Sequence, residues 1–469
     1  MREVLMLRLE GVQAECLFDE VLPEEVRELP DDLARLDELL ADPALLAPIE
    51  GHWRREAEQR GRSGAGHGRP TIPMATYVRL MVVKQRSGWG YETLVKEVSD
   101  SLHLRRFCLL GLGERVPCES TVRKLTRRLG PETVAELTRA VIAKAVRERR
   151  FRARAARIDS TVVEADVRYP SDAMLALQGA RALARSGRRL AERVGERGNA
   201  VRDRSRAVGR RVRQISRTLA RRTGQAREQV IALNAEAGRL LRRSAAEARK
   251  LAAQARAKAR GRGARAKLRS AAAIEELAER CERIAEQTAQ RLRGEKITGR
   301  IVSISDPDAR PIRKGKAGKP NEFGYVAQIC ELTPNTKSGA RGFVLPPASG
   351  AGNLGENTLL PQTAAELAAL GLAPREVALD GGFGHRRSEE QLAEIEPERV
   401  FVSGRQEPGS ARTKRRLRRY RTGVEGRISH LKRGYGLRRS RLKGEEGQRI
   451  WSAWAILAYD LDTFAVLAR

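Results

Sequence analysis

Three acidic residues, far apart in the chain, fit the demand for carboxylates that converge from rigid elements, and the first stands where an acid is costly unless it binds something. Asp159 interrupts the apolar run AARIDSTVVEA at 155–165. The β-branched Ile158, Val162 and Val163 predict a strand there, with Asp159, Thr161 and Val163 on one face. A carboxylate in such a strand loses its hydration, which favours a ligand role over an edge or turn acid. Asp380 closes the short apolar stretch EVALD and precedes GGFG. The C-terminal end of a buried strand, followed by glycines that permit close backbone approach, is a common site position in α/β folds. Alone it would read as a turn or cap aspartate. Glu425 lies in a strongly basic helical stretch, with Arg421 four residues before it and Lys432 seven after, so all three share one helix face. An intrahelical salt bridge is the plainer reading of that trio. Three carboxylates brought together would suit Mg²⁺ or Mn²⁺, since such ions take oxygen ligands and retain waters. Two ions about 3.5–4 Å apart activate an attacking oxygen, stabilise a leaving oxygen and offset charge at phosphorus.

The elements that must position these acids are legible in outline. Strand patterns recur after residue 296, in GRIVSIS, FGYVAQICEL, ARGFVLP, REVALD and ERVFVS. Helical patterns cover ENTLLPQTAAELAALG, SEEQLAEI, ARTKRRLRRYRTGVEGRISHLKRG and GQRIWSAWAILAYDLDTFAVLA. Strands and helices on both sides of a long interruption predict one α/β domain, 151–172 with 297–440, split by an insertion. The insertion, 173–296, is rich in Ala, Arg, Glu and Leu. Its apolar residues repeat at three and four: Val208, Val212, Ile215, Leu219; Val230, Leu233, Ala237, Leu240; Ile274, Leu277, Cys281, Ile284. These are coiled-coil seams, and breaks at RRTGQ and GRGARAK predict helices folded back on one another. Its arginine-rich surface either holds DNA or is a solvated face beside partner helices. Residues 441–469 are a C-terminal helix packing on the core, in which Trp451 and Trp454 belong to an apolar stripe.

Residues 1–70 are an N-terminal region ending in the linker GRSGAGHGRP. Residues 71–150 predict an all-α domain: helices near Tyr77–Lys84 and Tyr91–Ser101, then a basic helix capped by Ser120 and closed at Gly130-Pro131. Two short helices and a turn before a basic helix suit a helix-turn-helix reader of DNA, with Arg123, Lys124, Arg127 and Arg128 as the contacting cations. The alternative is a helical bundle with a solvated basic face. Glu164, Asp166, Asp306 and Asp308 read as loop or turn acids, and His385 as a residue at a helix start.

The stretches RIDSTVVEADVRYPSD, VALDGGFG and YRTGVEGRISHLKRGYGLRRSRLKG resemble the three catalytic blocks of DDE insertion-sequence transposases, of the IS-five-like group and its ISNCY relatives. The stretch from RPTIPMATYVRL to VPCESTVRKLTRRLG resembles the N-terminal domain of that group. The resemblance implies an RNase H-like α/β catalytic core, here interrupted by the coiled-coil insertion, in which Asp159, Asp380 and Glu425 hold two Mg²⁺ or Mn²⁺ ions. It also implies that Arg421 and Lys432 clamp DNA phosphates. In the group's Tyr-Arg-Glu-Lys signature the tyrosine's place is taken by Arg418, and Tyr420 lies two residues on. The implied activity is metal-dependent cleavage at the ends of an insertion element and transfer of the freed 3′ hydroxyl into target DNA. A catalytically inactive DNA-binding derivative is the competing expectation.

Composition agrees with a polyanionic partner. The 469 residues carry 91 Lys plus Arg against 59 Asp plus Glu, a net charge of +32, which attracts nucleic acid in a salt-sensitive way. Aromatics make up only 4% of residues, so the cores must rest on aliphatic side chains. The five cysteines form no CxxC pair, which argues against a zinc site or disulfide framework. No run approaches the roughly 20 apolar residues of a membrane span. The expectation is a cytoplasmic protein acting on double-stranded DNA, both terminal inverted repeats and target, as a homodimer or higher oligomer.

Overall fold

The computed structural model describes residues 5–11, 21–59, 69–148, 150–195, 200–261, 263–313 and 321–467. They form two compact units, 1–164 with 325–469, and 165–324.

The first unit opens with β1 (Leu5–Met6), α1 (Glu24–Arg27), α2 (Asp31–Leu40), α3 (Ala47–Glu58) and β2 (Arg69–Pro70), which pairs parallel to β1. Proline precedes α2 and acids fill its first turn, a start that suits both the fixed proline φ and the helix dipole. Helices α4 (Met74–Ser87), α5 (Tyr91–Asp100), α6 (Leu102–Phe107) and α7 (Glu119–Arg147) follow. Gly88 at φ 70° ends α4. Gly130 adopts φ 72° and ψ 177° ahead of Pro131, so α7 is two helices meeting at a kink. Strand β3 (Ala155–Ala165) then leads towards the second unit.

The second unit is built on α8 (Asp172–Val194), α9 (Ser205–Leu219), α10 (Gly224–Ala257) and α11 (Ala264–Leu292). Small residues let these helices approach closely. A Cβ on Gly179 of α8 would lie 2.8 Å from Leu241 and 2.9 Å from Cys281, on α10 and α11. Val208, Ile215, Leu233, Ala237, Ile274, Cys281 and Ile284 are buried, while Leu219 is exposed. Residues 299–305, which sequence patterning reads as a strand, are not one. Ile301 and Ile304 instead enter the helical core, and the side-chain amide of Gln287 bonds both the N–H and the C=O of Ile301. That pairing meets the backbone's demand without a neighbouring strand. The unit closes with β4 (Arg310–Ile312), antiparallel to the first residues of β5 (Glu322–Thr333).

The rest of the first unit comprises β6 (Ala348–Ala351), α12 (Glu356–Ala369), β7 (Glu376–Leu379), α13 (His385–Leu392), β8 (Arg399–Val402), α14 (Ala411–Gly434), β9 (Arg439–Ser440) and α15 (Gly444–Leu467). Its sheet runs β5-β3-β7-β8, with β6 antiparallel on β5 and β9 on β3. Both β3 and β8 run parallel to β7. Among the described residues α15 is the one helix long and apolar enough to cross a membrane, but 78% of its apolar window is buried in the protein. A helix apolar all round must be covered on every side. Helices α2, α4 and α7 pack on it, and Trp454 meets Tyr77 edge to face at 5.8 Å. The opposite flank, Ala455, Ile456 and Tyr459, packs with Val163, Ile329 and Val424. The N-terminal helices and the sheet therefore share one core.

Candidate functional site

Asp159 and Asp380 stand on neighbouring parallel strands. The last paired residues of β3 and β7 are Ile158 and Leu379, so each aspartate follows its strand's final matched position by one residue. Such strands lie about 4.8 Å apart. Three local features shape this edge. The Asp159 carboxylate accepts the Ser160 N–H at 2.7 Å. The Asp380 carbonyl accepts the Phe383 N–H, closing a turn. A Cβ on Gly381 would lie 2.8 Å from the Ser403 carbonyl, so only glycine lets this turn pass so close to the end of β8.

Helix α14 brings the third acid. Arg421 and Glu425 are one turn apart, and the Arg421 Nη1 lies 3.1 Å from Glu425 Oε1 and 3.0 Å from Asp380 Oδ1. One guanidinium thus joins the second and third acids. The two carboxylates are accessible, at 46% and 57% side-chain exposure, whereas Arg421 is mostly covered at 16%. Lys432 sits two turns beyond Glu425 and is half-buried. Arg418 is exposed and paired with Glu407 at 2.9 Å. Tyr420 points inward, its hydroxyl 2.6 Å from Thr333.

A buried ion network that the sequence analysis did not single out sets α14 against the sheet. Glu331 on β5 is fully buried, and its two oxygens divide between Arg157 of β3 at 2.6 Å and Arg427 of α14 at 2.9 Å. Arg157 also donates to the Tyr420 carbonyl at 3.1 Å. It lies two residues before Asp159, on the same strand face, so strand alternation turns Asp159 towards α14 as well. Arg427 lies two residues after Glu425. The approach is so close that a Cβ on Gly423 would fall 1.8 Å from Arg157 Nη1. Nearby, burial pushes the Asp460 carboxyl far above its ordinary range, although the Val344 N–H bonds it at 2.9 Å. Glu331 was legible by the reasoning applied to Asp159, since it too is an acid inside an apolar strand.

The donor set is three carboxylates with no nitrogen or sulfur, which suits Mg²⁺ or Mn²⁺. Among the described residues, however, no group of three or more His, Cys, Asp or Glu side chains is gathered closely enough to hold a metal ion. Arg421 now supplies the positive charge between Asp380 and Glu425.

The cations of α7 divide. Arg128 pairs with Glu56 at 2.7 Å and covers the Trp53 ring at 4.3 Å, a packing role. Arg123 is exposed and pairs with Glu119, and Lys124 and Arg127 are exposed. Glu164 pairs with Arg439 at 3.1 Å. Asp306 is buried, its backbone N–H bonded to Ser303. Trp451 and Trp454 are buried in the core.

No curated protein and no solved structure matches the chain. Residues 23–128, from α1 into the first part of α7, match the family model described as a transposase domain (DUF772). That stretch precedes all three acids, and it supports membership of a transposase family.

Proposed function

We propose that the chain is a DDE transposase, which cuts the ends of its insertion element and joins the freed 3′ hydroxyl to target DNA. The observation that carries this is the placing of Asp159 and Asp380 one residue past the matched ends of adjacent parallel strands, with Asp380 tied through Arg421 to Glu425. The matched transposase domain supports the same reading, as does a mixed sheet compatible with an RNase H-like core.

In this reading Asp159, Asp380 and Glu425 would be the residues to hold two Mg²⁺ or Mn²⁺ ions once drawn together, and such ions would supply Lewis-acid chemistry at phosphorus. The remaining work belongs to the chain. Glu331 and its two arginines hold β3 and α14 in register. Arg421 balances two acids in the resting protein. Its guanidinium would suit a non-bridging phosphate oxygen of bound DNA. Lys432, on the same helix, extends the contact along the strand. Two copies or more would engage the two element ends together.

The test is cleavage of DNA carrying the gene's own flanking sequence by the full chain with Mn²⁺. Asp159→Asn, Asp380→Asn and Glu425→Gln should each lower cleavage by about 10²–10³-fold or more, with duplex binding retained. Calorimetry should show Mn²⁺ binding lost in the two aspartate variants. Cleavage at the wild-type rate by Asp380→Asn would overturn the proposal. The second reading, DNA binding without catalysis, is favoured by one fact: Arg421 already satisfies two of the acids. Tight binding of flanking DNA, with no cut product under either metal, would establish that reading instead.

A further inference from the structure

Arginines in the second unit follow two patterns. Some are matched with acids: Arg204 with Glu247 at 2.8 Å, Arg211 with Glu236 at 2.9 Å, Arg242 with Glu286 at 3.1 Å and Arg249 with Glu282 at 2.6 Å. Others stand without such a partner, and four of these converge on one groove of about 400 Å³. It is lined by Arg181 of α8 and by Arg206, Arg210 and Arg213 of α9, with Ser205 and Gly209 completing it. All four arginines are exposed, and none is within ion-pair distance of an acid among the described residues. The nearest acid to act is Asp203, held low by hydrogen bonds from Ser205 and more weakly by the charges of Arg188 and Arg206.

We infer that this groove is a binding site for the phosphodiester backbone of duplex DNA, read without regard to base sequence. The inference rests on the reading of the chain as a DNA-handling protein, and it assigns part of that handling to the helical unit. Arg206, Arg210 and Arg213 follow the helix repeat at four and three, so they form one ridge about 10 Å long. Successive phosphates of one strand advance about 3.4 Å along the duplex axis, so the ridge faces two or three of them. Contacts between Gly209 and Leu177, and between Gly187 and Val201, show α8 and α9 running antiparallel. This sets Arg181 across the groove from the ridge. Guanidinium groups on both walls suit an anionic strand running between them. The buried Gly209 leaves room for a bulky anion on the groove floor.

The test uses the full chain and a labelled duplex of random sequence, with binding followed by anisotropy across a KCl series. The variant R181Q/R206Q/R210Q/R213Q should bind at least tenfold more weakly at 0.1 M salt. Its slope of log K against log salt should flatten by about 2–3, since each lost phosphate contact removes about 0.9. The control R242Q/R249Q/R256Q/R280Q removes the same four charges from arginines paired with Glu286, Glu282, Glu275 and Glu276. It should change affinity less than threefold. Equal losses in the two variants, or wild-type binding by the groove variant, would overturn the site while leaving the transposase reading intact. A wild-type chain that binds no duplex would sink both, and one that binds through the groove yet never cuts would sink only the catalytic reading.

Discussion

Arg157 and Arg427 in the first unit share Glu331, with all three side chains almost entirely out of solvent. Arg181, Arg206, Arg210 and Arg213 in the second unit face an open groove and form no ion pair among the described residues. Both sets count equally towards the net charge of +32, yet their physical consequences are opposite. The two buried cations share one carboxylate, so the trio carries a single net positive charge, and its guanidinium groups are engaged inside the fold and out of reach of a ligand. The groove arginines are exposed, and their charge is not taken up by an ion pair among the described residues. Lys84 shows a third arrangement: it is buried without a carboxylate, its ammonium 4.1 Å from the Trp451 ring and 4.9 Å from that of Tyr91. Net charge alone therefore overstates what is available for binding, and the partner of each cation decides its role.

The largest expected effect comes from disturbing the buried trio. Glu331→Gln leaves two buried guanidinium groups uncompensated and should lower unfolding free energy by about 3–5 kcal/mol, measured by urea denaturation. The triple change R157M/E331L/R427M should recover much of that loss, because well-packed apolar groups often replace buried ions without net cost. A loss under about 1 kcal/mol for Glu331→Gln would show that water reaches the network.

Lys84 gives the next effect. Burial pushes its pKa down to about 7, with the charge of Arg441 acting in the same direction. The unfolded side chain titrates near 10.4. Between those values the unfolded chain holds a proton that the folded chain has shed, so stability should rise with pH from about 7 to 10.4. Below 7 both states are protonated and the fold bears the full cost of the buried ammonium. Lys84→Met should remove this rise, and at pH 6 it should unfold at a higher denaturant concentration than the wild type. An unchanged pH profile would mean that the rings keep the ammonium charged throughout.

Smallest of all should be the folding effect of the groove. R181Q/R206Q/R210Q/R213Q should shift unfolding free energy by no more than about 0.5 kcal/mol, as expected of exposed side chains without partners. A loss above 2 kcal/mol would assign these arginines to the fold and erase the contrast with the buried trio.

Much of this arrangement was legible in the sequence, and the gaps have physical causes. The β-branched run around Asp159 and the short EVAL stretch before Asp380 declare strands by local pattern alone. Their adjacency is a tertiary fact that no spacing encodes. The four- and seven-residue steps to Arg421 and Lys432 are helical, but the reach of Arg421 to Asp380 crosses 41 residues. Residues 299–305 alternate like a strand, yet Ile301 and Ile304 were claimed by the helical core and Gln287. Arg128 looked like a surface cation until Glu56 and Trp53, both much earlier in the chain, were found beside it.

The second unit leaves the sheet at the end of β3 and returns along β5, and these two strands are neighbours. In chain-statistical terms it occupies the place of a loop between adjacent strands. Lengthening such a loop adds only about 0.6 kcal/mol per doubling. The host sheet is therefore nearly indifferent to the size of what it carries there. Selection can lengthen, shorten or re-charge that cargo while the edge bearing Asp159 and Asp380 stays as it is.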